Sequence, residues 1–217
     1  LANEPFKRIT ASFYKYVDIS VPNELRDELY EVWNQMGVFG RVYIAEEGIN
    51  AQVSIPEKNW EIFKDSVRNN NLIREVIIKK AIQEGSSFYK LKIKVRKELV
   101  AYDVPKESYD MRKVGKHLTA SEYNLALDSE DCTVVDMRNY YESEIGRFEN
   151  AIIPDVETSK ELLPEVKNLL KGKENEKILL YCTGGIRCEK ASSYLIKSGF
   201  KDVSQLQGGI IQYAHDI

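Results

Sequence analysis

The first hundred residues alternate between a strand period and a helix period. Ser12 to Ile19 is rich in aromatic and β-branched residues and reads as a strand. Pro22 then opens a helix, because proline suits a first helical turn. Leu25, Leu29, Val32, Trp33 and Met36 recur on that helix at helical spacing, and Gly37 supplies the stop. Gly40 to Ile55 is strand-like again, long or bent, with a break near Glu46-Glu47-Gly48. Pro56 opens a second helix with Trp60, Phe63 and Val67 on its inner face. Arg74 to Ile82 and Phe88 to Val100 read as further strands. The order fits β-α-β-β-α-β if the 40–55 stretch or the 74–82 stretch splits in two; βαβαββ is the other arrangement. Either gives a small sheet with two helices on one face. Arg41, Glu46, Glu47 and Asn50 crowd around the break, as a polar hairpin tip or as a contact element.

Residues 1–103 therefore read as one domain. Residues 104–116 carry Pro105, Gly115 and many charges with little apolar periodicity, the composition of a linker. A second domain is expected over 117–217. Thr119 and Glu122 form a capping-box pair ahead of Tyr123–Leu127. Strands at 133–136, 151–153, 178–181 and 203–206 alternate with helices at 140–145, 159–171 and 187–198. That alternation implies a parallel α/β sheet. The fold class is α/β: a small α+β domain followed by a parallel α/β domain.

Composition narrows the setting. Hydrophobic residues make up 43% of the chain, enough for real cores, and 30% are charged, enough for a soluble surface. No apolar run approaches the roughly 18 residues of a membrane span, and Leu1–Arg8 lacks the apolar core of a secretory leader. The three cysteines cannot all pair with one another, and none has a metal-ligand spacing. Reduced thiols and a cytoplasmic location are the simplest expectation. A net charge of −3 gives no global attraction to nucleic acid, so any RNA site must be a local patch. The best patch is Lys90-Leu-Lys92-Ile-Lys94-Val-Arg96. Period-two alternation buries Leu91, Ile93 and Val95 and presents Lys90, Lys92, Lys94 and Arg96 in a row. Such a row tracks phosphates or guards a sheet edge. The aromatics Phe13, Tyr14, Tyr16, Tyr43, Phe88 and Tyr89 read mainly as core, with base stacking as the alternative.

The densest chemistry lies at Tyr181-Cys182-Thr183-Gly184-Gly185-Ile186-Arg187-Cys188. The apolar run Lys177–Tyr181 leads into Cys182, a Gly-rich loop follows, and a helix opens. This order gathers backbone N–H groups and the positive end of a helix dipole around one sulfur. Such a cradle lowers a thiol pKa from about 8.5 and makes a thiolate at neutral pH. Thr183, Gly184, Gly185, Ile186 and Arg187 are expected to supply the cradle, and the glycines to permit positive φ. Arg187 adds a fixed charge. Four residues separate Cys182 from Arg187, one fewer than in cysteine-dependent phosphatases, so a smaller terminal atom such as a persulfide sulfur fits. Cys188 reads as a resolving thiol or as a small residue packed under the loop, and Cys132 as a packed thiol. Asp136, Arg138 and Glu142 read as an ion-pair network walling the site rather than as a proton relay. The only histidines, His117 and His215, lie in no recognised motif. No histidine–carboxylate cluster suggests an iron site, so no metal and no cofactor are expected.

Cys182-Thr-Gly-Gly-Ile-Arg187 resembles the active-site loop of rhodanese domains. Thr133-Val-Val-Asp136-Met-Arg138, followed by Glu142, Ile145-Gly146 and Ala151-Ile152, is similar to their entry signature. Val203-Ser-Gln-Leu206-Gln-Gly208-Gly209-Ile210 is similar to their closing strand and Gly-Gly turn. With Gly40-Arg41-Val-Tyr-Ile-Ala-Glu46-Glu47-Gly48-Ile49-Asn50, nearly the whole chain resembles the rhodanese-containing tRNA uridine hydroxylases. That resemblance implies a ferredoxin-like or acylphosphatase-like N-terminal domain, and Cys182 as the catalytic residue. It also implies tRNA as partner, molecular oxygen as co-substrate, and 5-hydroxyuridine at wobble position 34 as product. Family members continue into a cysteine-containing tail, so this chain is expected to be a piece of such a protein. The loop chemistry by itself favours a sulfurtransferase carrying a Cys182 persulfide from a sulfur donor. A redox-sensing or binding module built on Cys182 and Cys188 is the third reading. The oligomeric state stays open.

Overall fold

In the computed structural model, which describes residues 4–81, 88–128 and 132–217, the chain divides into Leu1–Leu99 and Val100–Ile217. The first unit runs β1 (Arg8–Tyr16), α1 (Pro22–Gln35), β2 (Phe39–Ala45), β3 (Gly48–Pro56), α2 (Trp60–Asn69), β4 (Lys79–Lys80) and β5 (Leu91–Val95). The 40–55 stretch is the one that splits. Glu46 and Glu47 make the turn, Ala45 faces Gly48 across it, and β2 pairs antiparallel with β3. The turn carbonyls of Glu47 and Glu46 accept from the amides of Val17 and Ile19, and the Glu47 carboxylate accepts from the Leu99 amide at 2.7 Å. The sheet order is β4-β1-β3-β2-β5, with β5 parallel to β2 and the other pairings antiparallel.

One face of this sheet takes both helices. Ala11, Phe13, Val42, Ile44, Ile49, Ala51, Val53, Leu91 and Ile93 share a core with Leu25, Leu29 and Trp33 of α1 and Trp60, Phe63 and Val67 of α2. Trp33 sits at its centre, fully buried, edge-on to Phe13 and tilted against Phe63, with its indole N–H donating to Ser66. Val32, one step off the α1 stripe, is exposed, and Val95 at the end of β5 is only half-buried. The strand expected over 74–82 shrinks to Lys79–Lys80. The Asn70 side chain accepts from the amides of Leu72 and Ile73, and Glu75 takes φ 69°, so the chain turns where a ladder would need extended backbone. Ile82 lies outside the described residues. The strand expected over 88–100 is confined to Leu91–Val95.

The second unit contains β6 (Lys116–Leu118), α3 (Ala120–Leu127), β7 (Cys132–Asp136), α4 (Tyr140–Ile145), α5 (Ser159–Leu169), β8 (Lys177–Tyr181), α6 (Ile186–Lys197), β9 (Asp202–Leu206) and α7 (Gly209–Asp216). Its sheet is parallel, in the order β6-β9-β8-β7. Both faces are covered, as a parallel sheet requires. Val135, Ile178, Leu180 and Val203 pack with α5 and α6, whereas Val134, Leu179, Tyr181 and Leu206 pack with Tyr123 of α3 and with α7. The capping box of Thr119 and Glu122 opens α3. The stretch expected as a strand at 151–153 makes a single bridge, Val135 to Ile152. Two elements carried no sequence expectation: β6, and the helix α7 that follows the Gly208-Gly209 turn. The stretch before β6 is tied to α6. Asp110 exchanges two hydrogen bonds with the Ser193 hydroxyl, and the Gly115 amide donates to Ser192.

Candidate active site

β8 is an interior strand, and Cys182 follows its last residue. This is the carboxyl end of a parallel sheet, where open α/β folds place their ligands. Cys182 is 1% exposed. The Gly185 amide donates to Sγ at 3.1 Å, and Gly185 itself takes φ 104° to turn that N–H inward before α6 begins. Gly184 does not use its conformational freedom: its φ lies outside the left-handed region, and a Cβ there would meet nothing within 4 Å. Burial pushes the Cys182 thiol up. The Cys188 thiol, the Arg187 charge and the amides of Cys188 and Gly185 outweigh burial and bring the pKa down to about 6. Cys188 moves the opposite way, raised by burial and by its thiolate neighbour. The pair is therefore one thiolate and one thiol that donates to it.

This asymmetry has a direct readout. Alkylation of Cys182 by iodoacetamide, followed across pH, is expected to show a midpoint at about 6. A hydrogen bond to a charged group is worth about 1.5–3 kcal/mol, so Cys188→Ala should raise the midpoint by at least about one pH unit. A wild-type midpoint in the ordinary thiol range near 8.5 would contradict the cradle.

Two ion pairs wall the site. Arg187 donates through Nη1 at 3.0 Å and Nη2 at 3.1 Å to the two oxygens of Glu142, and Nη1 also reaches the Met137 carbonyl at 3.3 Å. Thr183 donates its hydroxyl to Glu142 and accepts from Arg187 Nη2. Burial raises the Glu142 carboxyl, but Arg187, Thr183 and the Asn139 amide bring it to about 2. Glu142 is therefore an anion at neutral pH, too weak a base to take a proton there. Arg187 is held protonated, and its guanidinium is fixed beside the sulfur. Asp136 belongs to a separate, deeper pair. It accepts from Arg138 at Nε and Nη2, from the Arg138 amide, from Ser143 and from Tyr181, while Arg138 also donates to the Gly146 carbonyl. The expected Asp136–Arg138–Glu142 network is thus divided, with Glu142 paired to the helix that carries Arg187.

Other candidates lie apart from the sulfur. Cys132 contacts the Leu127 carbonyl at 3.6 Å, and burial raises its pKa. His117 on β6 pairs with Glu189 at 2.7 Å, which raises its pKa, and His215 is in α7. Among the described residues, no group of three or more His, Cys, Asp or Glu is arranged to hold a metal ion. Lys92 and Lys94 lie on β5 in the first unit, and Lys90 and Arg96 flank its two ends. The Lys92 pKa is lowered, chiefly by the charge of Lys94, with burial, Lys90 and Arg41 contributing.

Sequence reasoning missed two contributors. Tyr102 is buried against Cys182 and Cys188, and its hydroxyl donates to the Arg187 carbonyl at 3.3 Å. The only signal was the apolar alternation Val100, Tyr102, Val104. Gly209, at the start of α7, lies under the loop. The Ile210 amide donates to the Cys182 carbonyl, and a Cβ on Gly209 would stand 2.5 Å from the Thr183 carbonyl oxygen and 2.6 Å from that of Cys182, at φ +73°. Gly209→Ala should destabilise the unit by about 1–3 kcal/mol and shift the Cys182 alkylation midpoint. Denaturant unfolding and the same alkylation assay check both, and an unchanged midpoint would sever the helix from the loop.

Two domain descriptions match the chain. A UPF0176 acylphosphatase like domain matches residues 8–99, and a rhodanese-like domain matches residues 119–216. A tRNA uridine(34) hydroxylase of Leptospira interrogans is 52% identical over 218 residues, covering 100% of this chain and 59% of that protein. One of Hamiltonella defensa is 46% identical over 212 residues, covering 97% of this chain and 60% of that protein. The chain thus spans about 60% of the length of the curated relatives it matches. A rhodanese-like domain protein of Staphylococcus aureus, known from a crystal structure, is 27% identical, with a TM-score of 0.37 over 45% of this chain and 90% of that one. Both units and their order are accounted for: the chain joins a UPF0176 acylphosphatase-like domain to a rhodanese-like domain.

Proposed function

We propose that the full-length protein to which this chain corresponds is a tRNA-modifying enzyme of the cytoplasm that hydroxylates uridine 34 to 5-hydroxyuridine, with Cys182 as its reactive group. The observation that carries the reading is a buried cysteine whose sulfur accepts from the Gly185 amide at a strand end, in a chain 52% identical to a tRNA uridine(34) hydroxylase. A thiolate is a soft nucleophile, and an electron-poor uracil ring is a suitable acceptor, so Cys182 activates the ring beside C5. Arg187 stays charged throughout and stabilises the anion that develops, and the amides of Gly185 and Cys188 do the same for the sulfur. With molecular oxygen as oxidant, one atom enters the C5–H bond. Two electrons and two protons reduce the other atom to water, so a two-electron donor is a required co-substrate.

The test is nucleoside mass spectrometry of total tRNA from cells lacking the gene, grown in air or without oxygen, with and without the full-length protein restored. Wobble 5-hydroxyuridine derivatives should disappear with the gene and return only with the protein and oxygen together. Unchanged nucleosides in the deletion would refute the reading. A sulfurtransferase remains the second reading, because the same low-pKa cysteine and short loop suit a persulfide. It requires turnover of thiosulfate with cyanide by the full-length protein.

A further inference from the structure

The face of the first sheet opposite α1 and α2 has an arrangement that the chemistry at Cys182 does not use. Side chains on neighbouring strands that face each other in register point to the same side. One such row runs Lys79, Ser12, Gln52, Arg41, Lys92 across β4, β1, β3, β2 and β5. The next row runs Tyr14, Asn50, Tyr43, Lys94 across β1, β3, β2 and β5. These positions alternate with the buried positions of the helix-covered face, so they lie opposite α1 and α2. Arg41, Gln52 and Lys92 are exposed, and Tyr14, Asn50, Tyr43 and Lys94 are half-buried.

Charge in these two rows is of one sign. The two rows contain four cations and no carboxylate, although the chain as a whole carries −3. The Lys92 pKa is depressed first by Lys94 and further by Lys90 and Arg41, which marks crowded positive charge. Each tyrosine has a cation beside its ring: Lys79 lies 5.9 Å from the Tyr14 centroid, and Arg96 lies 5.2 Å from that of Tyr43. Lysines guarding exposed edges would account for those on the two edge strands, β4 and β5. They do not account for Arg41 on the interior strand β2, nor for two tyrosines about two strand spacings apart, roughly 10 Å, with an asparagine between them.

We propose that this face binds an unpaired segment of RNA, with Tyr14 and Tyr43 stacking bases, Asn50 and Gln52 meeting base edges, and Arg41, Lys92, Lys94 and Lys79 holding phosphates. The choice of RNA over another polyanion rests on the tRNA reading above. A base that lies on either ring displaces the neighbouring cation onto its own phosphate, so ring and charge act together. Aromatic stacking on an open sheet with flanking cations favours single strands, whose bases are free to splay. A duplex keeps its bases stacked and offers only phosphates.

The test is fluorescence anisotropy of a labelled ten-nucleotide oligouridylate with the full-length protein, titrated across salt. Loss of one stacked base costs about fivefold or more in affinity, so Tyr43→Ala and Tyr14→Ala should each weaken binding at least that much. Tyr43→Phe should stay within about twofold of wild type, and Tyr43→Leu, which keeps apolar bulk without a π-face, should behave like alanine. Lys92→Ala and Lys94→Ala should each flatten the log–log salt slope by about 0.7. Equal affinity for a ten-base-pair RNA duplex, or tyrosine variants that bind like wild type, would overturn the proposal. Failure of the sheet is thus seen in binding, and failure of the hydroxylase reading in nucleoside composition.

Discussion

Asp136→Ala is expected to destabilise the second unit by about 3–5 kcal/mol, the cost of breaking a buried ion pair by removing one partner. Asp136 is fully buried, and its side chain takes four donors from three residues besides the Arg138 amide: Arg138 Nε and Nη2, Ser143 and Tyr181. Alanine leaves the Arg138 side chain, only 6% exposed, without its counter-charge, and strands the Tyr181 hydroxyl in the interior. The Gly146 carbonyl still accepts from Arg138, so the guanidinium keeps one neutral partner and cannot easily swing to solvent. Asp136→Asn keeps the shape and some hydrogen bonds but removes the charge, and should lose less. Native-state hydrogen exchange on β7 and β8 peptides reads the effect locally. At about 1.4 kcal/mol per tenfold, protection should fall about a hundredfold or more. Protection within tenfold of wild type would show that Asp136 is not the centre of that wall. The linkage has a defined sign. The Asp136 pKa is lowered in the folded unit: burial pushes it up, and the hydrogen bonds from Arg138, Tyr181 and Ser143 win. Its contribution is therefore present above the unfolded carboxyl pKa and is lost as pH falls through the folded value.

What was legible in the sequence was what is local in space. The capping box of Thr119 and Glu122, the helix over 140–145 and the strand–loop–helix at Cys182 all depend on residues a few positions apart, and their signals are contiguous. The strand expected over 74–82 failed for a local reason as well. Its composition is strand-like, but the Asn70 side chain and the positive φ of Glu75 commit the chain to a turn. Helix α7 was hidden because it begins on Gly208 and Gly209, which read as a turn. In the site, the partner of Arg187 is Glu142, 45 residues away, and no spacing rule links them; the Asp136–Arg138 pair, two residues apart, could be read directly. Tyr102 reaches the cysteines from a stretch adjoining the expected linker. The tyrosines of the first sheet read as core because a period-two pattern does not say which face the helices cover. Strand register decides that.

The largest functional effect expected is that of Cys182→Ala. Removing the sulfur removes the nucleophile and leaves the Gly185 amide and the Arg187 charge with no anion to hold, while the Glu142–Arg187 pair keeps the walls in place. Loss of a nucleophile from a preorganised site lowers rates by factors on the order of a thousand or more. The fold should tolerate the change, because cysteine and alanine are both small and Cys182 packs in an apolar cluster. The measurement that bears most directly on the account is therefore nucleoside mass spectrometry of tRNA from deletion cells carrying the full-length protein with Cys182→Ala, beside the same cells carrying wild type at equal abundance. The account predicts that wild type restores 5-hydroxyuridine derivatives and that the variant leaves them at the deletion level. Restoration by the variant to wild-type levels would show that the cradled thiolate is not the reactive centre.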